Sequence, residues 1–193
     1  MDITSYLLGK NSSSGGGGSI SDYFTATISG GSNSGDGIAH MIKKIPENTI
    51  VSGKSLESAF RYCVNLVEIP LLDTSSVTSM YYCFAVCSNL TKIPLLNTQN
   101  VTTMQRMFWN CNSLVTVPVL STAKVTTMND MFVNCSSLSN ESLNNILQMC
   151  INATRYSQTK KLSSIGLSSA QATICQGLSN YQAFIDAGWT TGY

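Results

Sequence analysis

Phenylalanine stands at positions 60, 84, 108 and 132, at one constant interval. Cysteine follows three residues on in every case (Cys63, Cys87, Cys111, Cys135), and leucine three further on (Leu66, Leu90, Leu114, Leu138). The register continues through Ile69, Ile93 and Val117, each followed by proline, then Leu72, Leu96 and Leu120, then Val77, Val101 and Val125, and ends on Met80, Met104 and Met128. A 24-residue period marks a repeat architecture, in which one unit cannot bury its apolar face alone and successive units must stack.

The register also runs backwards. Ile45-Pro46 lies one period before Ile69-Pro70, Ile42 takes the leucine slot and Leu56 the methionine slot, so all four prolines of the chain share one repeat position. Residues 37 to 59 therefore read as a degenerate first turn of the kind that closes a stack.

Within a unit, Met80, Cys83, Phe84 and Cys87 are spaced i, i+3, i+4, i+7, as are Met104, Met107, Phe108, Cys111 and Met128, Met131, Phe132, Cys135. That spacing predicts one buried face of a short helical segment. The stretch Leu90 to Leu96 is β-rich and predicts one short strand per unit, paired in parallel with its neighbours at ~4.8 Å per layer. Proline has no N–H to give a ladder, so the aligned prolines belong at a strand start or a bend. Asp73-Thr74-Ser75-Ser76 and Asn97-Thr98-Gln99-Asn100 have the composition of turns that open the next helical piece. If each buried Leu, Ile, Phe or Met contributes ~1.5–3 kcal/mol, only the whole stack outweighs chain entropy.

The run D-T-S-S-V-T-S-M-Y-Y-C-F-A-V-C-S-N-L-T-K-I-P-L-L, from Asp73 to Leu96, resembles the BspA-like leucine-rich repeats of bacterial surface proteins. The resemblance covers roughly residues 37 to 138 and implies a leucine-rich-repeat-like solenoid, with adhesion as the broad use of the family. Fold alone does not assign function.

Five regions are expected: residues 1–10 as a docking peptide, 11–19 as a Ser/Gly linker, 20–36 as an N-terminal strand or cap, 37–138 as the solenoid and 139–193 as a helical C-terminal cap. The linker NSSSGGGGS is flexible by composition and separates a head carrying Ile3, Tyr6, Leu7 and Leu8 from the rest. The head M-D-I-T-S-Y-L-L-G-K resembles the starts of proteins encoded by phages and prophages of gut Firmicutes, which implies docking onto other virion proteins. Tyr23 to Ser29 alternates like a strand able to cover the first turn. Asn140 to Ile151 predicts a helix with Leu143, Ile146, Leu147 and Cys150 on one side. Ser168-x-x-Gln171 and Ser179-x-x-Gln182 read as capping boxes opening two more, with Gly188 ending the last; the closing segment Trp189 to Tyr193 suits core packing or a contact surface, and packing is the expectation.

Eleven basic against ten acidic residues leave no electrostatic footprint for nucleic acid or an anionic membrane. No apolar run approaches the ~18–20 residues of a membrane span, and the first residues lack the pattern of a secretory signal. The Asn-x-Ser/Thr triplets at Asn89, Asn100, Asn134, Asn140 and Asn152 read as polar turns. Seven cysteines without a CxxC, and one histidine, His40, offer no metal-ligand spacing and no nucleophile with its base. The aligned cysteines are expected to be reduced thiols packed as small hydrophobes, projecting in parallel rather than at one another. No catalytic residue, cofactor or metal is expected.

Binding is the better-supported class, because some columns vary while the core columns stay fixed. The pairs after each methionine (Tyr81-Tyr82, Gln105-Arg106, Asn129-Asp130) and after each phenylalanine (Arg61-Tyr62, Ala85-Val86, Trp109-Asn110, Val133-Asn134) lie off the apolar face and are expected to be exposed. Tyr, Trp and Arg are enriched in binding hot spots, which singles out Arg61, Tyr62, Tyr81, Tyr82, Arg106 and Trp109 as partner-binding residues. The expected function is non-enzymatic recognition of a protein or glycan on a cell surface, by a protein of a phage virion or tail. The competing readings are a purely structural virion component and an adhesin of the bacterial cell surface. Homo-oligomers are compatible with each.

Overall fold

Every second amide between residues 80 and 86 leaves its own unit to find a partner. The amides of Met80, Tyr82, Phe84 and Val86 donate to the carbonyls of Thr103, Gln105, Met107 and Trp109, at 3.0, 3.1, 2.9 and 2.7 Å. Those of Cys83, Ala85 and Cys87 instead donate three residues back, to Met80, Tyr82 and Phe84, and close three overlapping β-turns. The same alternation recurs from 56 to 62 and from 104 to 110, so adjacent repeat units are bonded layer to layer. These relations come from a computed structural model that describes residues 27–28, 42–45, 47 and 49–193. The head residues Ile3, Tyr6, Leu7 and Leu8, the linker 11–19, His40 and Pro46 lie outside the described residues.

The turns correct the expectation of a short helix in each unit, since no helix occurs between residues 49 and 139. A left-handed residue recurs instead at 58, 62, 82, 86, 106, 110, 130 and 134, with φ between 54° and 67°. An α-helix would bond each amide to the carbonyl four residues back; here half the amides are spent on the next layer. The spacing i, i+3, i+4, i+7 does not distinguish the two cases, because Met80, Cys83, Phe84 and Cys87 all point inward from the chain of turns.

The expected strand per unit is likewise reduced, to single parallel bridges. They run Ser55 to Ser79 to Thr103 to Thr127 on one side and Glu68 to Lys92 to Thr116 on another. Pairing cannot lengthen past the prolines, which bring no N–H to the ladder: segments 94–97 and 118–121 make no layer-to-layer backbone bond. The one sheet among the described residues is two-stranded and parallel, joining β1 (Thr27–Ile28) to β2 (Ile50–Val51).

Threonine supplies what the short ladders omit. The buried Thr74 and Thr98 donate Oγ1 to the carbonyls of Asn97 and Ser121, both at 2.9 Å, and Thr122 to that of Met149. Thr78, Thr102 and Thr126 each direct both the amide and the hydroxyl at one carbonyl of the preceding layer, Lys54, Thr78 and Thr102. Asp73 and Asn97 accept the amides of Ser75 and Gln99 and so set the turn. The repeated D/N-T-x-x-V-T is thus a layer clamp.

The core is the set of inward columns. Phe60, Phe84, Phe108 and Phe132 are each at most 1% exposed and stack ring on ring, with centroids 5.2, 5.9 and 5.8 Å apart. Beside them Cys87, Cys111 and Cys135 donate Sγ to the carbonyls of Phe60, Phe84 and Phe108, at 3.2, 3.1 and 3.1 Å. All seven cysteines are free and buried. Burial pushes the Cys111 thiol up to about 12 and that of Cys175 to about 11, and raises those of Cys83, Cys87 and Cys135 well above the usual range. Since the thiolate is the reactive species, native protein is expected to resist thiol reagents, with seven thiols titrating after unfolding without reductant. Fewer than seven would reveal a disulfide.

Past Leu138 the chain forms α1 (Asn140–Asn152), α2 (Ser169–Cys175) and α3 (Tyr181–Asp186). Ser139 caps α1, and Ser168 with Gln171 makes a reciprocal capping box on α2. The box expected at Ser179 is not formed: its hydroxyl meets Asn144 of α1, and the N-cap of α3 is Asn180, which makes no side-chain capping bond. Gly188, at φ 84°, follows α3; of the closing segment expected to pack, Trp189 does so, 1% exposed and stacked 4.9 Å from Tyr156, whereas Tyr193 at its end is 66% exposed.

The layering itself outlasts the sequence period. Asp130 and Phe132 donate to the carbonyls of Ser164 and Ile165, both at 2.9 Å, which makes 161–165 a further layer. Leu162 and Ser163 in turn donate to Thr190 and Thr191, and Lys161 bridges Thr190. α1 takes the place of a layer on the other side, where the Ser142 hydroxyl meets the carbonyl of Val115 at 2.8 Å and the amide of Val117 at 2.9 Å. No described helix is long and apolar enough to cross a membrane.

Candidate functional site

The chain of turns that buries the phenylalanines also fixes what stands on its outside. Left-handed residues 82, 106 and 130 fall in one column, so Tyr82, Arg106 and Asp130 lie one above another. Arg106 donates Nε to Asp130 Oδ2 at 2.9 Å and a terminal nitrogen to the Tyr82 hydroxyl. Those two hydrogen bonds, the one to Tyr82 first, hold the guanidinium above its ordinary pKa.

Arg61 lies on the same face. Its guanidinium carbon sits 4.5 Å from the centre of the Tyr82 ring and 4.8 Å from that of Tyr62, and Nη2 donates to the Tyr62 hydroxyl at 3.3 Å. Its Nε is buried without a hydrogen-bond partner. Arg106 approaches the Tyr82 ring to 5.4 Å. Tyr82 meets Tyr81 edge-on at 4.5 Å and Trp109 edge-on at 6.4 Å. Burial, ahead of the neighbouring Tyr82, pushes the Tyr81 hydroxyl up.

All six residues singled out from the sequence therefore meet in one contiguous cluster centred on Tyr82. They are half-buried rather than exposed, because they shield one another and the amides beneath them. Ala85, expected to be exposed with them, is fully buried, since its amide closes a turn onto Tyr82. Asp130 belongs to the cluster although its residue type does not mark it; the signal is its place one period after Arg106 and two after Tyr82. Below it the Tyr156 hydroxyl donates to Asn129 at 2.6 Å, and burial pushes that phenol up to about 12.

Such a surface can stack an apolar or sugar ring on Trp109 and the tyrosines, and pair an acceptor with the Arg61 guanidinium. It has no nucleophile beside a base. Among the described residues no group of three or more His, Cys, Asp or Glu could hold a metal ion.

A second surface feature follows the same register. Leu71 is 69% and Leu95 63% exposed, with Val119 next in the column. Their sequence gives no sign of this, since each stands directly before a buried leucine, Leu72 or Leu96, in a run of two. Next to them a groove of about 380 Å³ is lined by Ile45, Ile69, Pro70, Ile93 and Pro94 and rimmed by Lys44, Glu47, Glu68 and Lys92.

No curated protein and no solved structure matches the chain. One family model does, over residues 54–165, more than half of the chain, and the match closes on Ile165, whose carbonyl receives the amide of Phe132. The matched span holds both the turn layers and the arginine and aromatic cluster, and by it the chain belongs to the family described as Mycoplasma protein of unknown function, DUF285.

Proposed function

We propose that this chain is a non-enzymatic recognition module: a leucine-rich-repeat-type solenoid that offers the Tyr82-centred cluster to a protein or glycan on a cell surface. The observation that supports it is the convergence of two arginines, three tyrosines and a tryptophan, drawn from three successive layers, onto one patch. Scattered surface aromatics need no explanation, but a connected set of hot-spot residue types on a rigid frame has the make-up of a binding centre. A place on a phage virion or tail, anchored through Ile3, Tyr6, Leu7 and Leu8, fits the likeness of the head to phage-encoded proteins. The bacterial cell surface fits the likeness of the repeats to BspA-like adhesins.

A purely structural role is the second reading, and one observation favours it: Arg106, Asp130 and the Tyr82 hydroxyl already satisfy one another. Binding of fluorescent protein to intact bacteria separates the two. Arg61→Ala with Trp109→Ala is expected to weaken cell binding by ~100-fold or more, as for two central hot-spot residues, with the protein still folded at the temperature of the assay. Equal binding by the variant and its parent would remove the cluster from recognition, and no binding by either would favour the structural reading.

A further inference from the structure

The column that runs Lys44, Glu68, Lys92, Thr116 alternates in charge, and beside it runs Glu47, Leu71, Leu95, Val119. Both columns are exposed: the Glu68 and Lys92 side chains keep 55% and 62% of their surface while paired at 2.9 Å, and Leu71 and Leu95 are the two most exposed large aliphatic residues described. Val67 and Val115, next in the chain to Glu68 and Thr116, are exposed as well. Adjacent exposed leucines in register form a small apolar stripe rimmed by charge, the make-up of an association surface. The question is what matches it.

The charge order answers. A two-fold axis lying along the extended segments, midway between the Glu68 and Lys92 layers, reverses the order of layers and leaves position within a layer unchanged. Under that operation Glu68 faces Lys92 of a second copy, Lys92 faces Glu68 of that copy, and Leu71 faces Leu95 in both directions. The face is thus complementary to itself, the condition for an isologous dimer. We infer that this face pairs with a second copy of the same chain, antiparallel along the stack, through a leucine stripe flanked by a four-charge ring of alternating sign.

The size of the face sets the strength. Four layers at ~4.8 Å by five extended residues at ~3.3 Å give roughly 300 Å² per copy, below the ~800 Å² of a standard stable interface. The dimer is therefore weak and depends on concentration. It leaves the Tyr82 cluster, carried by the turns, free for its own ligand, so the inference does not rest on the proposed function.

Sedimentation equilibrium of the full chain over a wide concentration range tests it. The parent protein is expected to associate to a dimer. Lys92→Glu, which sets like charges against each other twice, and Glu68→Lys, which does the same with the opposite sign, should each weaken association by about tenfold or more. The double variant E68K/K92E restores the alternation and should dimerise like the parent, and an equimolar mixture of K92E and E68K should form the mixed dimer. Thermal unfolding of each variant is expected to match the parent, since the exposed pair contributes little to folding. A parent protein that stays monomeric, a K92E variant that associates as well as the parent, or a double variant that stays as weak as the singles would overturn the proposal.

Discussion

Phe108→Ala is expected to destabilise the protein by ~3–5 kcal/mol, the cost of a large cavity in a core that cannot collapse around it. The ring is fully buried between two others, 5.9 Å from Phe84 and 5.8 Å from Phe132. Its own amide and carbonyl are tied within its layer and to the next: the amide to Met131, the carbonyl to the amide of Cys111 and the thiol of Cys135. The backbone is therefore held while the side chain is removed, which keeps the cavity open. Phe60→Ala should cost less, because described residues stack on that ring from one side only, at 5.2 Å. Urea unfolding of the two variants checks the order; equal losses, or a Phe108 variant as stable as its parent, would mean that the phenylalanines do not form the spine of the stack.

Gly166→Ala comes next in size, at roughly 2–6 kcal/mol, with overlap and left-handed strain each costing ~1–3 kcal/mol. Gly166 has φ 93°, and a Cβ placed there would lie 2.5 Å from the Val133 amide nitrogen and 2.6 Å from its Cγ2. The collision is with backbone, in the turn where layer 161–165 meets layer 130–134, so it cannot be relieved by a rotamer change. Gly53 is an internal control: its φ is 80°, but nothing lies within 4 Å of its would-be Cβ. Gly53→Ala should show the strain alone, and a Gly166 variant no worse than the Gly53 variant would mean that the fifth layer is not seated on the fourth.

The inward columns are legible directly, because a fixed period leaves each of Phe84, Cys87, Leu90, Met104 and Phe108 no other place than the interior of a stack. The backbone that carries them is not. Tyr82, Val86 and Arg106 are left-handed residues at positions where the chain offers no glycine, and φ above zero is rare for such side chains and most strained for β-branched valine. What holds them there is the next layer, through bonds such as Tyr82 to Gln105 and Val86 to Trp109, and no local pattern encodes a bond to the following repeat. The fifth layer escapes for a simpler reason: α1 is inserted before it, so the partner of Phe132 is Ile165, well past one repeat length, and the period breaks while the geometry continues.

The same logic separates the two surfaces. Six residues of the Tyr82 cluster are visible in the sequence as variable columns of hot-spot types. Their mutual contacts are not, because Arg61 reaches across to Tyr82 only when the layers are in register. Asp130, small and charged, has the character of solvated surface until it stands above Arg106. Leu71 and Leu95 are hidden by the run of two leucines in each unit, of which one is buried and the other exposed.

Amide hydrogen exchange resolved by residue tests the layered bonding most directly, because chains of turns and stacked strands spend their amides differently. The amides of Tyr82, Phe84, Arg106 and Phe108 each donate to the next layer and are expected to exchange only when the whole stack opens. Those of Leu95 and Val119, exposed residues in segments without layer-to-layer bonds, should exchange far faster. Strong protection at Leu95 and Val119 with rapid exchange at Tyr82 and Arg106 would contradict the account, since it would place the ladder along the proline segments and leave the turns unbonded.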